Sequence, residues 1–182
     1  MDNNEKRIQF SPALRIATLS VLTAATAFFT FAVRIPIAPT RGYLNLGDVI
    51  IYFAAFTFGP FTALFAGGLG TALADIISGY SQWAPISLVV HGLQGLAAGF
   101  VAGSAASTAV SRLRLRWLGA ACAGTLVMCA GYLGGGALMV GFGAALVELP
   151  GNILQNLAGV LGAIPLTLAI RRAYPPALEM HW

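Results

Sequence analysis

The stretch Glu148-Leu-Pro-Gly-Asn-Ile-Leu-Gln-Asn156 opens the last long apolar run of the chain. Pro150 suits the first turn of a helix, where a missing N–H removes no intrahelical hydrogen bond, so we predict that a helix begins there. A step of about 100° per residue then puts four residues on one helix face: Asn152, Gln155, Asn156 and Gly159. Glu148 lies just above that face.

The composition around this stretch is that of a membrane protein. Of 182 residues, 58% are hydrophobic and only 9% are charged, and the mean hydropathy is +0.80. Soluble domains carry about 25% charged residues. An unpaired polar group costs several kcal/mol in hydrocarbon, so polar side chains must face other helices, water or a ligand. A single amide is explained by bonding between helices, but four polar groups on one face favour a polar ligand.

The hydropathy pattern predicts an all-α integral membrane protein with one domain, residues 1–182, and six spans. These lie at about residues 13–33, 48–58, 61–78, 86–106, 117–140 and 152–170. A span of about 20 residues crosses roughly 30 Å of hydrocarbon. A Pro-rich loop at residues 34–47 follows the first span. A basic loop at residues 107–116 follows the fourth span, and glycines 134–136 interrupt the fifth. The first apolar run lacks a convincing cleavage site, so we predict no cleavable signal peptide.

The cationic residues predict the orientation. With the N-terminus inside, eight of them fall on the cytoplasmic side: Lys6, Arg7, Arg15, Arg112, Arg114, Arg116, Arg171 and Arg172. Only Arg34 and Arg41 fall outside. This distribution follows the positive-inside rule and puts both termini in the cytoplasm. The pI near 9.5 thus reflects topology, and we predict the lipid bilayer rather than nucleic acid as a partner.

In this topology the polar residues at membrane depth gather in the outer half. They are Asp48, Asp75, His91, Gln94, Glu148, Asn152 and Gln155. The inner half is apolar and glycine-rich. A channel or an alternating-access carrier needs polar groups along its whole path. The asymmetry therefore predicts an outward-facing cup with a closed floor.

Two helices carry small-residue stripes. On the first, Ala13, Ala17, Ser20, Ala24 and Ala27 share one face. Such a stripe allows close approach of a helix, either within the bundle or from a partner. On the fourth, Gly95, Gly99 and Gly103 have the same spacing, and we predict internal packing. Cys122 and Cys129 are too far apart along one helix for a disulfide and are interpreted as packing residues.

Several short motifs resemble the substrate-binding S component of energy-coupling factor (ECF) vitamin transporters. They are Tyr43-Leu-Asn-Leu-Gly-Asp48, Ala74-Asp75, Ser78-Gly79-Tyr80, Trp83-Ala-Pro85, His91-Gly92-Leu-Gln94-Gly95 and Glu148-Leu-Pro-Gly-Asn152. The resemblance extends over nearly the whole chain. It is closest to the hydroxymethylpyrimidine and riboflavin-type group.

The resemblance implies a multi-pass protein of a bacterial or archaeal cytoplasmic membrane that captures a vitamin or precursor at its outer face. The resemblance also implies that such a protein docks on a transmembrane coupling protein and two cytoplasmic ATPases. Because the ATPases use the ATP, no cofactor is expected in this chain. The family's Ala-x-x-x-Ala docking pattern is matched by Ala13 and Ala17, and by Ser20 and Ala24 with Ser for Ala. Loop 34–47 would be the lid. The family's metal-binding members need a histidine near the N-terminus, which Met1-Asp2-Asn3 lacks, so no metal is expected.

Ten residues are candidates for ligand binding: Asn152, Gln155, Glu148, His91, Trp83, Gln94, Tyr80, Asn156, Tyr132 and Asp75. Asn152 and Gln155 offer donors and acceptors to a heterocycle's mixed edge. Glu148 suits an aminopyrimidine edge or a cationic ring. Trp83 and Tyr80 either stack on a flat ring or belong to the interfacial aromatic belt.

Structural roles compete with several of these assignments. His91 either meets the ligand or bonds another helix, and Tyr132 either lines the site or packs. For Asp75 we favour a structural role, pairing with Arg41 or capping the following turn. For Asp48 we favour capping of the second helix.

The best ligand hypothesis is a hydroxymethylpyrimidine or thiamine-like heterocycle, with riboflavin or a queuine-like compound as alternatives. A solitary carrier without ATPases and an intramembrane enzyme using His91, Asp75 and Glu148 are the competing classes. The sequence has no His-Glu-x-x-His or Gly-x-Ser-x-Gly motif and no ATP-binding loop. We therefore predict no catalytic residue and no enzyme activity.

Overall fold

The computed structural model describes residues 11–103 and 110–180. Within these ranges the chain forms six α-helices, one antiparallel β-hairpin and a short 3₁₀ helix. In chain order they are α1 Pro12–Ala32, β1 Arg34–Ile37, β2 Gly42–Asn45, α2 Gly47–Phe58, α3 Pro60–Ile77, α4 Ala84–Ala102, α5 Val110–Val140, α6 Phe142–Ala173 and the 3₁₀ helix Pro175–Glu179. Lys6, Arg7 and residues 104–106 of the predicted fourth span lie outside the described residues.

Five of the helices in the described ranges are long and apolar enough to cross a membrane: α1, α3, α4, α5 and α6. Helix α2 has 12 residues, so it is about 18 Å long and shorter than the hydrocarbon layer. It packs against α1, α3, α4 and α6, and Ile51, Tyr52 and Phe56 are fully buried. The chain is therefore an all-helical, multi-pass protein in which the second predicted span is a short helix enclosed by the others.

Glycines allow the close packing of α3 against α4. A Cβ added to Gly95 would lie 2.6 Å from the backbone oxygen of Ala63, and one added to Gly68 would lie 2.6 Å from that of Leu88. Such distances are well inside van der Waals contact, so only glycine fits. The predicted internal packing is confirmed for Gly95 and also for Gly99, which contacts Pro60.

Helix α5 differs from its prediction. It runs without a break through Val140, so the basic loop predicted at residues 107–116 is wrong for residues 110–116, and Arg114 and Arg116 are helical. Glycines 134–136 continue the helix, and two of them pack against neighbouring helices. Gly135 faces Ile86 and Gly136 faces Ala145.

Helix α6 begins at Phe142, eight residues before Pro150. The prediction that the helix starts at Pro150 is therefore wrong. A proline inside a membrane helix is tolerated because neighbouring helices and local adjustments satisfy the freed backbone groups. With 32 residues α6 is about 48 Å long, more than the hydrocarbon layer requires.

The predicted Pro-rich loop folds into the hairpin of β1 and β2, with Arg34 opposite Asn45 and Ile37 opposite Gly42. Arg41 in its turn has a φ of 53°, an unusual conformation for a residue with a side chain. The hairpin lies at the end of the bundle where α2 begins, here called the hairpin end. In the predicted orientation, the hairpin end faces outward.

Apolar side chains pack together at the opposite end. Phe56 near the end of α2 stacks on Trp117 of α5 with ring centroids 5.3 Å apart. Leu113, Leu178 and Met180 belong to the same buried cluster.

Helix α1 packs through one face only. Leu22, Thr26 and Thr30 are buried against the bundle. The small-residue stripe is on the other side, where Ala13, Ala17, Ser20 and Ala24 are exposed. Four of the five stripe residues are therefore exposed, and Ala27 is half-buried.

Candidate ligand-binding site

A polar cavity lies at the hairpin end, under β2 and between the helices. Its described lining consists of Thr30, Gly42, Tyr43, Asn45, Thr71, Asp75, Trp83, Ser87, His91, Met128, Tyr132, Glu148, Asn152 and Gln155. Its volume is about 30 Å³, far below the roughly 150 Å³ of an apolar cavity that holds benzene. In this conformation the hairpin and helices leave little room in the cavity.

The cavity wall holds polar atoms that are buried and have no hydrogen-bond partner among the described residues. They are Oγ1 of Thr30, Oδ2 of Asp75, Nε1 of Trp83 and Nδ2 of Asn152. Buried polar groups are normally paired, and each unpaired one costs about 1–3 kcal/mol. These four atoms around one cavity include both donors and acceptors, so they leave hydrogen-bonding capacity for a small polar molecule.

Polar contacts fasten the hairpin over this cavity. Tyr43 donates its O–H to Oδ1 of Asp75 at 2.5 Å. The hydroxyl of Thr40 donates to Oε1 of Glu148, and the backbone N–H of Asn45 donates to Oε1 of Gln155 at 2.8 Å. Burial, and then the neighbouring Asp75 carboxylate, raise the pKa of Tyr43 well above its ordinary value. Tyr43 therefore stays protonated and keeps its role as a donor.

A set of hydrogen-bonded side chains, the Asp48 network, extends from the cavity wall into the bundle. It consists of His91 and Gln155 in the wall and Asp48, Gln94 and Asn156 beneath it. Oδ1 of Asp48 accepts from Nε2 of Gln94 at 3.1 Å, and Oδ2 accepts from Nε2 of Gln155 at 3.0 Å. Nδ1 of His91 is 2.7 Å from Oε1 of Gln94 and 3.2 Å from Oδ1 of Asp48. Asn156 accepts from Gln94 at 3.0 Å and from the Tyr52 hydroxyl at 2.6 Å. These bonds satisfy a carboxylate that is fully shielded from solvent.

The structure brings most of the predicted site residues together. Seven of them line the cavity: Asp75, Trp83, His91, Tyr132, Glu148, Asn152 and Gln155. Gln94 and Asn156 lie one layer lower, in the Asp48 network. Tyr80 is outside the lining and packs on Tyr43 with ring centroids 4.7 Å apart. Ligand contact stays a prediction for all ten.

Two contacts predicted for acidic residues, a cap on α2 by Asp48 and an ion pair of Asp75 with Arg41, are not found among the described residues. Asp48 makes no capping hydrogen bond for α2 in the described structure, and Oδ1 of Asn45 caps Gly47 N–H instead, at 2.8 Å. The carboxylate of Asp48 points into the bundle, where two glutamines bind it. Asp75 accepts from Tyr43, and the described residues show no ion pair between Asp75 and Arg41.

Several lining residues were not predicted, namely Thr30, Gly42, Tyr43, Asn45, Thr71, Ser87 and Met128. For Tyr43 and Asn45 a signal existed, because alternate residues of a strand share one face. No such signal pointed to Thr30, Thr71 or Ser87, because single hydroxyl groups on apolar helices are common. The described residues contain no group of three His, Cys, Asp or Glu side chains that could hold a metal ion.

The described residues form a multi-pass helical bundle with a polar cavity beneath a hairpin, an arrangement suited to a membrane protein that holds a small polar molecule. The family model of the ECF-type riboflavin transporter S component matches residues 12–172, and the chain belongs to this family. This confirms the resemblance found in the sequence motifs. The family is one of transport proteins and not of enzymes. Membership implies an ECF module as partner and a vitamin as the class of substrate.

Individual proteins are similar over most of the chain. The thiamine precursor transporter HmpT of Lactococcus lactis subsp. cremoris (strain MG1363) is 35% identical over 159 residues, 87% of this chain and 88% of HmpT. A Pyrococcus woesei protein, described as an uncharacterized protein in gap 3'region, is 37% identical over 155 residues, 85% of this chain and 100% of that protein. A solved S component of a bacterial ECF transporter has a TM-score of 0.61, with 24% identity, and covers 89% of this chain and 96% of its own; it supports the fold.

Proposed function

We propose that this chain captures hydroxymethylpyrimidine, a thiamine precursor, at the hairpin end and delivers it by docking on an ECF coupling protein with its ATPases. The observation that carries the proposal is the cavity with four buried, unpaired polar atoms of both donor and acceptor type. The name of the similar HmpT, a thiamine precursor transporter, supports the choice of ligand.

The cavity chemistry suits an aminopyrimidine. Such a ring offers an exocyclic amine as donor, ring nitrogens as acceptors and a hydroxymethyl group that does both. Oδ2 of Asp75 and the Glu148 carboxylate suit the amine, while Nε1 of Trp83 and Nδ2 of Asn152 suit the ring nitrogens. Trp83 and Tyr132, with ring centroids 6.0 Å apart, supply an aromatic wall for a flat ligand.

The closed cavity is too small for any heterocycle, so capture requires the hairpin to move. Its described polar attachments to the helices include hydrogen bonds from the Thr40 and Tyr43 hydroxyls and the Asn45 backbone N–H. Their acceptors are the side chains of Glu148, Asp75 and Gln155. Hydrogen bonds of this kind have a net worth of about 1 kcal/mol each, and a ligand can replace them. We propose that the hairpin is a lid that opens, admits the pyrimidine and closes over it.

Riboflavin is the second candidate, because the family that includes this chain is described as riboflavin-type. A queuine-like base remains a third. Riboflavin carries three fused rings and a ribityl chain, so it would require a much larger rearrangement than a single pyrimidine ring. The small closed cavity therefore favours the smaller ligand.

We further propose that α1 docks on the coupling protein, with both chain termini in the cytoplasm. The exposed stripe of Ala13, Ala17, Ser20 and Ala24 supports this, because small side chains allow a partner helix to approach closely. In this assembly the partner ATPases hydrolyse ATP, and this chain contributes the ligand site alone.

Calorimetry and thermal-shift measurements on the protein in detergent test the ligand. The panel holds hydroxymethylpyrimidine, thiamine, riboflavin and queuine, with the variants Asn152→Ala and Glu148→Gln. Leu154→Ala, on the exposed face of α6, is the control. We expect tight binding of hydroxymethylpyrimidine that both site variants weaken at least tenfold and the control retains. Tight binding of riboflavin or queuine alone would overturn the ligand assignment, and binding unaffected by both variants would overturn the site.

A further inference from the structure

Asp48 lies behind the cavity wall and contacts two of its residues without lining the cavity itself. Oδ1 is 3.2 Å from Nδ1 of His91, and Oδ2 accepts from Nε2 of Gln155 at 3.0 Å. His91 and Gln155 both line the cavity. Asp48 can therefore act on a bound ligand only through these side chains.

The donors and acceptors around Gln94 fix the orientation of its amide. Its Nε2 is 3.1 Å from the Asp48 carboxylate and 3.0 Å from Oδ1 of Asn156. Nδ2 of Asn156 donates to the backbone oxygen of Asn152 at 2.9 Å, so Oδ1 is the atom that faces Gln94. A carboxylate and an amide oxygen are both acceptors, so the Gln94 nitrogen must face them. Its oxygen is then the atom next to His91.

Nδ1 of His91 consequently faces two acceptors, Oε1 of Gln94 at 2.7 Å and Oδ1 of Asp48 at 3.2 Å. A ring nitrogen between two acceptors must carry a proton. Because Nδ1 is engaged in this way, Nε2 is the ring nitrogen that remains for the cavity. The protonation of Nε2 is thus set by the Gln94 amide and by the Asp48 carboxylate that orients this amide, both on the other side of the ring.

We propose that Asp48 is a positioning residue that keeps a proton on Nδ1 of His91 and so offers Nε2 of His91 to the ligand. The ligand and its binding in this cavity rest on the proposed function. The location of the proton is a property of the chain without ligand.

Replacing the carboxylate by an amide disturbs this arrangement in a defined way. Asp48 accepts from Gln94 and Gln155 and faces His91 Nδ1, whereas an amide has one acceptor oxygen and an NH2 group. In Asp48→Asn at least one neighbouring donor meets another donor. If Gln94 reorients to relieve that clash, its NH2 group turns to Nδ1 of His91, and the imidazole proton moves to Nε2.

Nitrogen-15 NMR of the histidine ring tests the proposal directly. The chain has two histidines, so the His181→Gln variant leaves His91 alone. In this parent protein we expect one-bond proton coupling at Nδ1. In Asp48→Asn we expect the coupling at Nδ1 to be lost or reduced as Nε2 gains the proton. A parent protein without a proton on Nδ1 overturns the proposal even if the variant does not fold.

Glu179→Gln is the matched control, because it makes the same carboxylate-to-amide change at an exposed position of the 3₁₀ helix, outside the cavity. We expect its His91 spectrum to match the parent. An unchanged spectrum in Asp48→Asn, or an equal change in Glu179→Gln, would show that Asp48 does not position the ring.

Titration with hydroxymethylpyrimidine completes the test. We expect the ligand to shift the Nε2 resonance while Nδ1 keeps its proton, and Asp48→Asn to weaken binding at least tenfold. Binding without any change at Nε2 would overturn the role of His91. If hydroxymethylpyrimidine does not bind to the parent protein at all, the proposed function fails, while the proton location measured without ligand still decides the present inference.

Discussion

Gln155 connects the hairpin to the interior of the bundle by accepting the backbone N–H of Asn45 at 2.8 Å. The nitrogen of the same amide donates to Oδ2 of Asp48 at 3.0 Å. The two ends of the amide differ chemically, so Asp48 holds the Gln155 side chain with its oxygen toward the hairpin. A single side chain thereby links the lid to the network beneath the cavity.

The first prediction concerns this link. Gln155→Leu removes the acceptor for Asn45 and one donor to Asp48. The net loss of a hydrogen bond is about 1 kcal/mol, so we expect roughly five- to tenfold faster amide exchange in the hairpin. Hydrogen exchange followed by mass spectrometry measures it. Leu154→Ala serves as the control on the exposed face of α6, and equal exchange rates in both variants would contradict the link.

The second prediction is that Asn152→Leu separates stability from binding. Nδ2 of Asn152 is buried without a partner among the described residues, so replacing it by a methyl group removes a desolvation cost of about 1–3 kcal/mol. We expect the melting temperature without ligand to stay equal or rise, while the affinity for the ligand falls at least tenfold. Differential scanning fluorimetry measures the melting temperature, and calorimetry measures the affinity. A large drop in melting temperature would mean that the amide serves the fold instead.

The third prediction concerns the approach of α6 to Asp48. A Cβ added to Gly159 would lie 2.5 Å from Cβ of Asp48, so Gly159→Ala forces α6 away from the Asp48 network. We expect a loss of about 1–3 kcal/mol in the free energy of unfolding, the usual cost of overpacking. Gly143→Ala on the same helix is the control, because no described atom lies within 4 Å of its added Cβ. Equal stability of both variants would contradict the close contact.

The fourth prediction is a dependence on alkaline pH. Burial raises the pKa of Tyr43 above its ordinary value, so the unfolded chain loses this proton at lower pH than the folded chain. The stability that the Tyr43–Asp75 bond contributes is therefore fully present below a pH of about 10 and declines as the pH rises further.

Melting curves of the parent and Tyr43→Phe between pH 7 and 11.5 measure this contribution. We expect the parent to be more stable by about 1–3 kcal/mol at neutral pH, since the variant leaves Oδ1 of Asp75 without its donor. We expect this difference in the free energy of unfolding to decrease as the pH rises above about 10. A constant difference across the range would exclude ionisation of Tyr43 as its source.

The fifth prediction tests docking through α1. Ala17→Leu adds bulk to the exposed stripe, so we expect loss of co-purification with the coupling protein and ATPases while ligand affinity stays unchanged. Ala130→Leu makes the same change on an exposed position of α5 and should leave co-purification intact. Equal recovery of the ATPases with both variants would place the docking surface elsewhere.

Much of the candidate site could be predicted from local spacing. The helical period put Asn152, Gln155 and Asn156 on one face, and all three point into the bundle although the start of the helix was wrong. The wrong helix start did not change the predicted face, because a helix that begins at Phe142 keeps the same period through Pro150. Trp83, His91 and Asp75 line the cavity as well, because the alternation of spans brought their ends to one side.

Composition and periodicity by themselves determined that the chain lies in a membrane, is all-helical and gathers its polar groups at one end. Those properties follow from the free energy of transferring apolar surface out of water. Each residue contributes to this free energy independently of its distant neighbours. The sequence motifs added the family, which the family match confirmed.

Only the tertiary structure decided how the polar groups pair. Asp48 was expected to cap a helix, yet glutamines from α4 and α6, 46 and 107 residues away, bind its carboxylate. The hairpin, the enclosure of α2 and the division into a cavity and an underlying network likewise depend on contacts between distant segments. In a medium without water, a buried carboxylate must take its donors from whichever helices pack beside it, and that packing is a property of the whole bundle.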